Sequence, residues 1–281
     1  MITKNPMQLK AFIKNMAKEK NISAQIVMQN YMLERLLERI SLSEYQKHFI
    51  LKGGFLIAAI VGLDTRATMD LDTTLKGYPL THEAVRKIFQ DICTIPVEDD
   101  ITFSLVALTD IRESDDYPGL RVSLIAEYAP LKVPLSVDIT TGDKITPREI
   151  AYSFRLLFEE RAISVMAYNL ETIFAEKLET ILSRSIASTR PRDLYDIYIL
   201  NALKGAECNP IVLKTALEET ANKRGSAKAL RSYKETMATI LNSIEMKRFW
   251  TGYQKEFDYA KDISFDAACS AVNEVLDRCY G

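Results

Sequence analysis

A change of texture near residue 168 limits this chain more than any other feature. Before that point, helix-period and strand-period runs alternate. After it, apolar residues recur at helical spacing almost to the C-terminus. One packed layer system does not produce both patterns, so the sequence predicts an α+β chain in two parts. A mixed α/β domain with N-terminal helices is expected over residues 1–168, and a helical domain over residues 169–281. With 281 residues, each part has enough chain for its own core.

In the first part, helical spacing runs from Pro6 to Lys20, and from Ser23, an N-cap residue, to Ile40. "HFILKGG" reads as a short strand or helix end that leads into two glycines. A short helix "FLIAAIVG", a strand through "DLDTTLK" and a helix capped by Thr81 follow. Three runs rich in branched residues come next, "ITFSLVALTDIR", "GLRVSLIAEYA" and "VPLSVDIT", then shorter strands in "YSFRLLF" and "ISVMAYN". In the second part, caps and breaks fall at Asn169, Arg190 to Arg192, Pro210, Gly225 and Ser264.

Composition excludes several chemistries. No apolar run reaches bilayer length, and the lysines of "MITKNPMQLKAFIKNMAKEK" interrupt any signal-peptide core, so a cytoplasmic protein without a membrane partner is expected. Cys93, Cys208, Cys269 and Cys279 have no C-x-x-C spacing and read as reduced structural residues. His48 and His82 are too few for a histidine-based site, which leaves carboxylates, lysine and arginine. The net charge of -2 conceals basic segments: nine Lys or Arg against four Glu in the first 52 residues, and nine against five from Lys214 to Phe257. Such segments either hold phosphates or solvate helices. Within the second, Lys223, Arg224, Lys228, Arg231 and Lys234 form a candidate phosphate track, although Gly225 interrupts its face.

The candidate chemistry lies in "KGGFLIAAIVGLDTRATMDLDTTLKG", Lys52 to Gly77. Asp70 and Asp72 straddle Leu71, and the two-residue period of a strand points both carboxylates to one face. They need a cation between them or open water. Asp138, inside the apolar run "VPLSVDIT", is costly to bury unless paired or metal-bound. Three carboxylates on neighbouring strands can hold two divalent cations about 3.5–4 Å apart, aligning an attacking oxygen, a phosphorus and a leaving pyrophosphate. Mg2+ suits such oxygen donors, with Mn2+ as the alternative. Gly53 and Gly54 would let the main chain approach a triphosphate at the start of the following helix. Taken singly, each feature also has a structural explanation: a solvated strand face, a turn, or a strand cap.

These residues carry a resemblance. The Lys52–Gly77 segment is similar to the first motif of the AbiEii/AbiGii toxin family of nucleotidyltransferases, within the DNA polymerase β-like superfamily. The family pattern falls on Gly53 and Gly54, on Arg66, Thr68, Asp70 and Asp72, and on Asp138. "LETIFAEKLETILSR" and "RPRDLYDIYIL" resemble its Lys motif, at Lys177, and its Arg-x-x-Asp-Leu-x-Asp motif, at Asp193 and Asp196. Phe55 departs from it, standing where relatives often carry a hydroxyl residue.

The resemblance implies a polymerase β-like mixed sheet and a metal-dependent type IV toxin-antitoxin or phage-defence toxin. It implies transfer of NMP from an NTP to an acceptor, with the 3′ end of tRNA expected and pyrophosphate released. The implied catalytic residues are Asp70, Asp72, Asp138, Lys177, Asp193 and Asp196, with the first three binding metal. Lys52, Gly53, Gly54, Arg66, Thr68 and Lys177 are the implied nucleotide-binding set, and a repressor-like antitoxin is the implied partner. Without the family match, Lys177 reads as a solvated lysine paired with a glutamate, and Asp193 and Asp196 as an intrahelical charge cluster. Rival functions are transfer to a small molecule or a protein hydroxyl, or a catalytically silent nucleotide-binding partner of an antitoxin.

Overall fold

The computed structural model describes residues 5–111 and 119–281, and its chain divides into two compact units. Unit 1 comprises Met1–Asp143 and Ile150–Ala167; unit 2 comprises Lys144–Glu149 and Tyr168–Gly281. The last residue of the expected strand "ITFSLVALTDIR", Arg112, lies outside the described residues.

Unit 1 opens with α1 (Pro6–Glu19) and α2 (Ala24–Leu42). Asn5 and Ser23 cap them, their side-chain oxygens accepting from the amides of Gln8 and Ile26, which otherwise lack helical partners. Strand β1 (Phe49–Lys52) runs straight into α3 (Gly53–Val61), followed by β2 (Leu71–Leu75) and α4 (His82–Cys93). Thr81 caps α4. The remaining elements are β3 (Thr102–Ile111), β4 (Gly119–Tyr128), β5 (Leu131–Thr141), β6 (Ile150–Arg155) and β7 (Ala162–Ala167).

Among the described residues these strands form one sheet in the order β3-β4-β5-β2-β1-β7-β6. Pairing is antiparallel except for β2 with β5 and β1 with β7, so the sheet is mixed. The centre of the sheet is apolar and inaccessible, with Ile50, Leu71, Val122, Val137 and Ile139 at 0% exposure. Burying such side chains stabilises by roughly 1.5–3 kcal/mol each. Polar side chains placed at this centre are therefore exceptional.

Unit 2 is helical: α5 (Leu170–Arg184), α6 (Arg192–Lys204), α7 (Pro210–Lys223), α8 (Ala227–Arg231), α9 (Tyr233–Asn242), α10 (Ile244–Glu256) and α11 (Phe265–Tyr280). Lys144–Glu149, which the sequence places with the first domain, belongs to this unit. Asn169 accounts for it. Its carboxamide oxygen caps α5 at Thr172, while its Nδ2 donates to the carbonyls of Thr146 and Arg148. No helix among the described residues is long and apolar enough to cross a membrane.

Candidate active site

Four adjacent strands place four charges side by side. Lys52 on β1 pairs with Asp72 on β2, Asp72 with Asp138 on β5, and Asp138 with Arg121 on β4. Directly paired residues project to the same face of a sheet, about 5 Å apart. The row therefore reads cation, carboxylate, carboxylate, cation. The like charges in the middle repel, and the flanking cations offset that repulsion. Asp70 does not enter the row: it precedes the first residue of β2 and is exposed. The side-by-side carboxylates are thus Asp72 and Asp138 from neighbouring strands, whereas strand alternation alone points to Asp70 and Asp72.

Arg121 holds Asp138 through a two-bond fork, with Nε to Oδ1 and a terminal nitrogen to Oδ2 at 2.7 Å each. That hydrogen-bonded carboxylate raises the guanidinium above its ordinary value against the effect of burial, and the charges of Asp138, Asp70 and Asp72 add to the rise. All three carboxylates thus act on one guanidinium.

Asp72 is seated against the glycines. Gly53 has φ +64°, and a Cβ there would lie 2.2 Å from Asp72 Oδ2. The Gly54 amide donates to that same oxygen at 3.2 Å. In this structure the glycine pair lets the Asp72 carboxylate approach the start of α3. On its other side Gly54 lies under Arg66 and Thr68, where a Cβ would sit 3.1 Å from each side chain. Arg66 is buried and donates to the Ala67 carbonyl, while Asn30 on α2 donates to the Thr68 carbonyl at 2.7 Å. These contacts fix the loop that carries Asp70.

The family model for the nucleotidyl transferase AbiEii toxin of type IV toxin-antitoxin systems matches residues 35–271. The chain belongs to this family. It is a nucleotidyltransferase with the α+β fold expected of one. Among solved structures, one from Helicobacter pylori described as a candidate nucleotidyltransferase is similar, with 14% identity and a TM-score of 0.51 over 92% of this chain and 98% of that one. JHP933, also from Helicobacter pylori, is 14% identical with a TM-score of 0.50, covering 92% and 94% of the two chains. At these identities the likeness is one of fold. No curated protein matches the sequence.

For an AbiEii-family protein the donor set suits a hard divalent cation, since the row offers only carboxylate oxygens and already holds a guanidinium in the cationic position. Among the described residues no three His, Cys, Asp or Glu side chains converge into a ready cage. Mg2+ does not need one, because it is commonly held by one or two carboxylates plus substrate phosphates and water. Lys52 sits at the edge of the row, its Nζ 2.6 Å from Asp143, which also accepts from Thr140. Burial pushes the Asp143 carboxyl up, but Lys52 and the hydroxyls overcome it and hold it at about 2.

In unit 2, Lys177 of α5 reaches Asp193 at 2.6 Å and Asp196 at 2.7 Å, both on α6. The two acids are three residues apart and share a helix face. Both are buried, as is the apolar stripe of Ile173, Phe174, Leu178, Ile181 and Leu182 on α5. Lys177 therefore pairs with two aspartates of the next helix and is not simply solvated. The expected phosphate track loses Arg224, which pairs with Glu176 at 2.8 Å and Glu179 at 2.6 Å. Its helical spacing also breaks, because α7 ends before Arg224 and Gly225 turns at φ +67° into the separate α8.

Phe55 is 2% exposed and stacks on Phe154 with centroids 5.6 Å apart, so its ring fills the core. Sequence reasoning misses Arg121, Asp143 and Asn30. For Arg121 a signal exists: a two-residue link, Ala129-Pro130, pairs Tyr128 with Leu131 and thereby sets Arg121 opposite Asp138.

Proposed function

We propose that this nucleotidyltransferase moves a nucleoside monophosphate from an NTP to the 3′-hydroxyl of tRNA and releases pyrophosphate, with Mg2+ or Mn2+ held by Asp70, Asp72 and Asp138. The observation that carries the reading is the pairing of Asp72 with Asp138 on adjacent strands, flanked by cations. A bound divalent ion would supply charge neutralisation at the α-phosphate and the leaving pyrophosphate. Asp72 is already aimed by Gly53 and Gly54, and Asp138 by Arg121. Lys52 and Lys177 are the proposed phosphate-binding cations. Asp193 and Asp196 keep the Lys177 ammonium in place, and Arg66 and Thr68 shape the loop before Asp70. In the transfer, the acceptor oxygen bonds the α-phosphorus and releases its proton to water, while the bond to the bridging oxygen breaks and pyrophosphate keeps its electron pair.

The family supplies an antitoxin partner, proposed here to be repressor-like, with phage defence as the setting. The acceptor is tested by incubating the protein and each α-labelled NTP with total RNA, total protein and small hydroxyl compounds in separate reactions. Label on tRNA 3′ ends that disappears with Asp72→Asn supports the proposal. Label on protein or small molecules alone overturns the tRNA assignment, and no label anywhere in the presence of Mg2+ or Mn2+ overturns the metal-dependent transfer.

A further inference from the structure

Both oxygens of Asp138 are occupied by a cation that belongs to the protein, since the Arg121 fork closes on them at 2.7 Å each. A divalent ion and a guanidinium repel at such spacing, so they compete for the carboxylate. Arg121 is also able to leave. Its side chain is 44% exposed, in contrast to Arg35 of α2, which is 0% exposed among three glutamates. Asp138 itself is 20% exposed, so water and ions reach the pair.

We propose that Arg121 is an exchangeable counter-ion of the acidic pair, holding Asp138 in the metal-free protein and passing to the polyphosphate of an incoming metal nucleotide. This rests on the metal reading of Asp72 and Asp138. A planar fork that fits two carboxylate oxygens also fits two phosphate oxygens, so the released guanidinium gains a partner of the same chemistry. Without a nucleotide it has no phosphate to close on, and Asp138 keeps it. Metal and nucleotide therefore strengthen each other's binding, and reciprocity requires the gain to be equal in both directions. Arg121 acts here as a positioning residue, and a purely bracing role has the opposite signature: loss of the brace disorders Asp138 and weakens metal binding.

The test is a titration of the full chain with Mn2+, following free Mn2+ by electron paramagnetic resonance, alone and with the α,β-methylene analogue of each NTP in turn. Arg121→Gln should bind Mn2+ alone about tenfold more tightly than the parent, the scale of one charge-assisted pair. The gain produced by the analogue should shrink in that variant. Arg121→Lys, which keeps the charge without the fork, should fall between, and it carries the comparison if circular dichroism finds Arg121→Gln unfolded. Mn2+ binding that is saturable in the parent, lost in Asp72→Asn and equal or weaker in the Arg121 variants overturns the exchange while leaving the metal reading intact. No saturable Mn2+ binding in the parent or the Arg121 variants removes both.

Discussion

Gly53 and Asp72 meet so closely that a Cβ on the glycine would lie 2.2 Å from the carboxylate oxygen Oδ2. The glycine also holds φ +64°, a region that costs other residues about 1–2 kcal/mol. Gly53→Ala therefore combines backbone strain with displacement of Asp72 from its place beside Asp138. Urea unfolding should report a loss of at least about 1–2 kcal/mol, and nucleotidyl transfer should fall by more than about tenfold in protein that remains folded. Parent-like activity in folded Gly53→Ala would show that the seat of Asp72 is not needed.

Lys177 bridges two buried acids, so its removal affects folding directly. The sequence suggests the opposite, because an apolar stripe already accounts for α5 without it. In the structure, Lys177→Ala removes the ammonium that both buried acids, Asp193 and Asp196, share, a change that costs about 3–5 kcal/mol. Lys177→Met combined with Asp193→Asn and Asp196→Asn should recover most of that stability without recovering transfer. Equal melting of Lys177→Ala and the parent would contradict the bridge.

Arg224 and its neighbours separate by the same logic. Arg224→Gln leaves the buried Glu179 with only the Ser226 hydroxyl and should destabilise the protein by about 1–3 kcal/mol. Lys228 and Arg231 are exposed, so replacing both by Gln should leave stability within about 0.5 kcal/mol. If tRNA binds through them, the same pair lowers its affinity and flattens the dependence on salt. An unchanged salt slope, measured by filter binding, would move the contact to other basic residues such as those of the first 52.

The parts of the fold that are legible in sequence are the local ones. Ser23, Thr81, Asn169 and Ser264 announce helix starts because a cap acts within three residues. The branched runs announce strands for the same reason. Strand order is a different matter, since β2 pairs in parallel with β5 some sixty-six positions later, 72 to 138, and nothing local encodes that. Asp72 and Asp138 are visible as candidates, but their adjacency and the Arg121 fork come only with register. Lys177 is visible as a motif residue, while its pairing with two buried acids depends on how α6 packs on α5.

The ion cluster on α2 gives the protein a measurable response to pH. Arg35 contacts Glu34, Glu38 and Glu159, and Arg161 contacts Glu38 and Glu159, so two guanidinium groups face three carboxylates. A proton on Glu34 balances the cluster. Burial pushes the Glu34 carboxyl up to about 8, outweighing Arg35 and the Leu157 amide, which oppose it. Burial acts on Glu159 as well, but Arg161 and Arg35 overcome it and hold that group below the ordinary carboxylate range. Its titration therefore ends below the window that matters. The unfolded chain releases the Glu34 proton near 4.5, whereas the folded chain keeps it to about 8. The stabilisation is complete below the lower value and is lost as pH rises to the upper one, with a slope of at most about 1.4 kcal/mol per pH unit. Denaturation free energy should decline over that interval, and Glu34→Gln, which has no proton to lose, should flatten the decline. A Glu34→Gln profile that falls as steeply as the parent's would assign the pH dependence to other groups and leave Glu34 ionised in the fold.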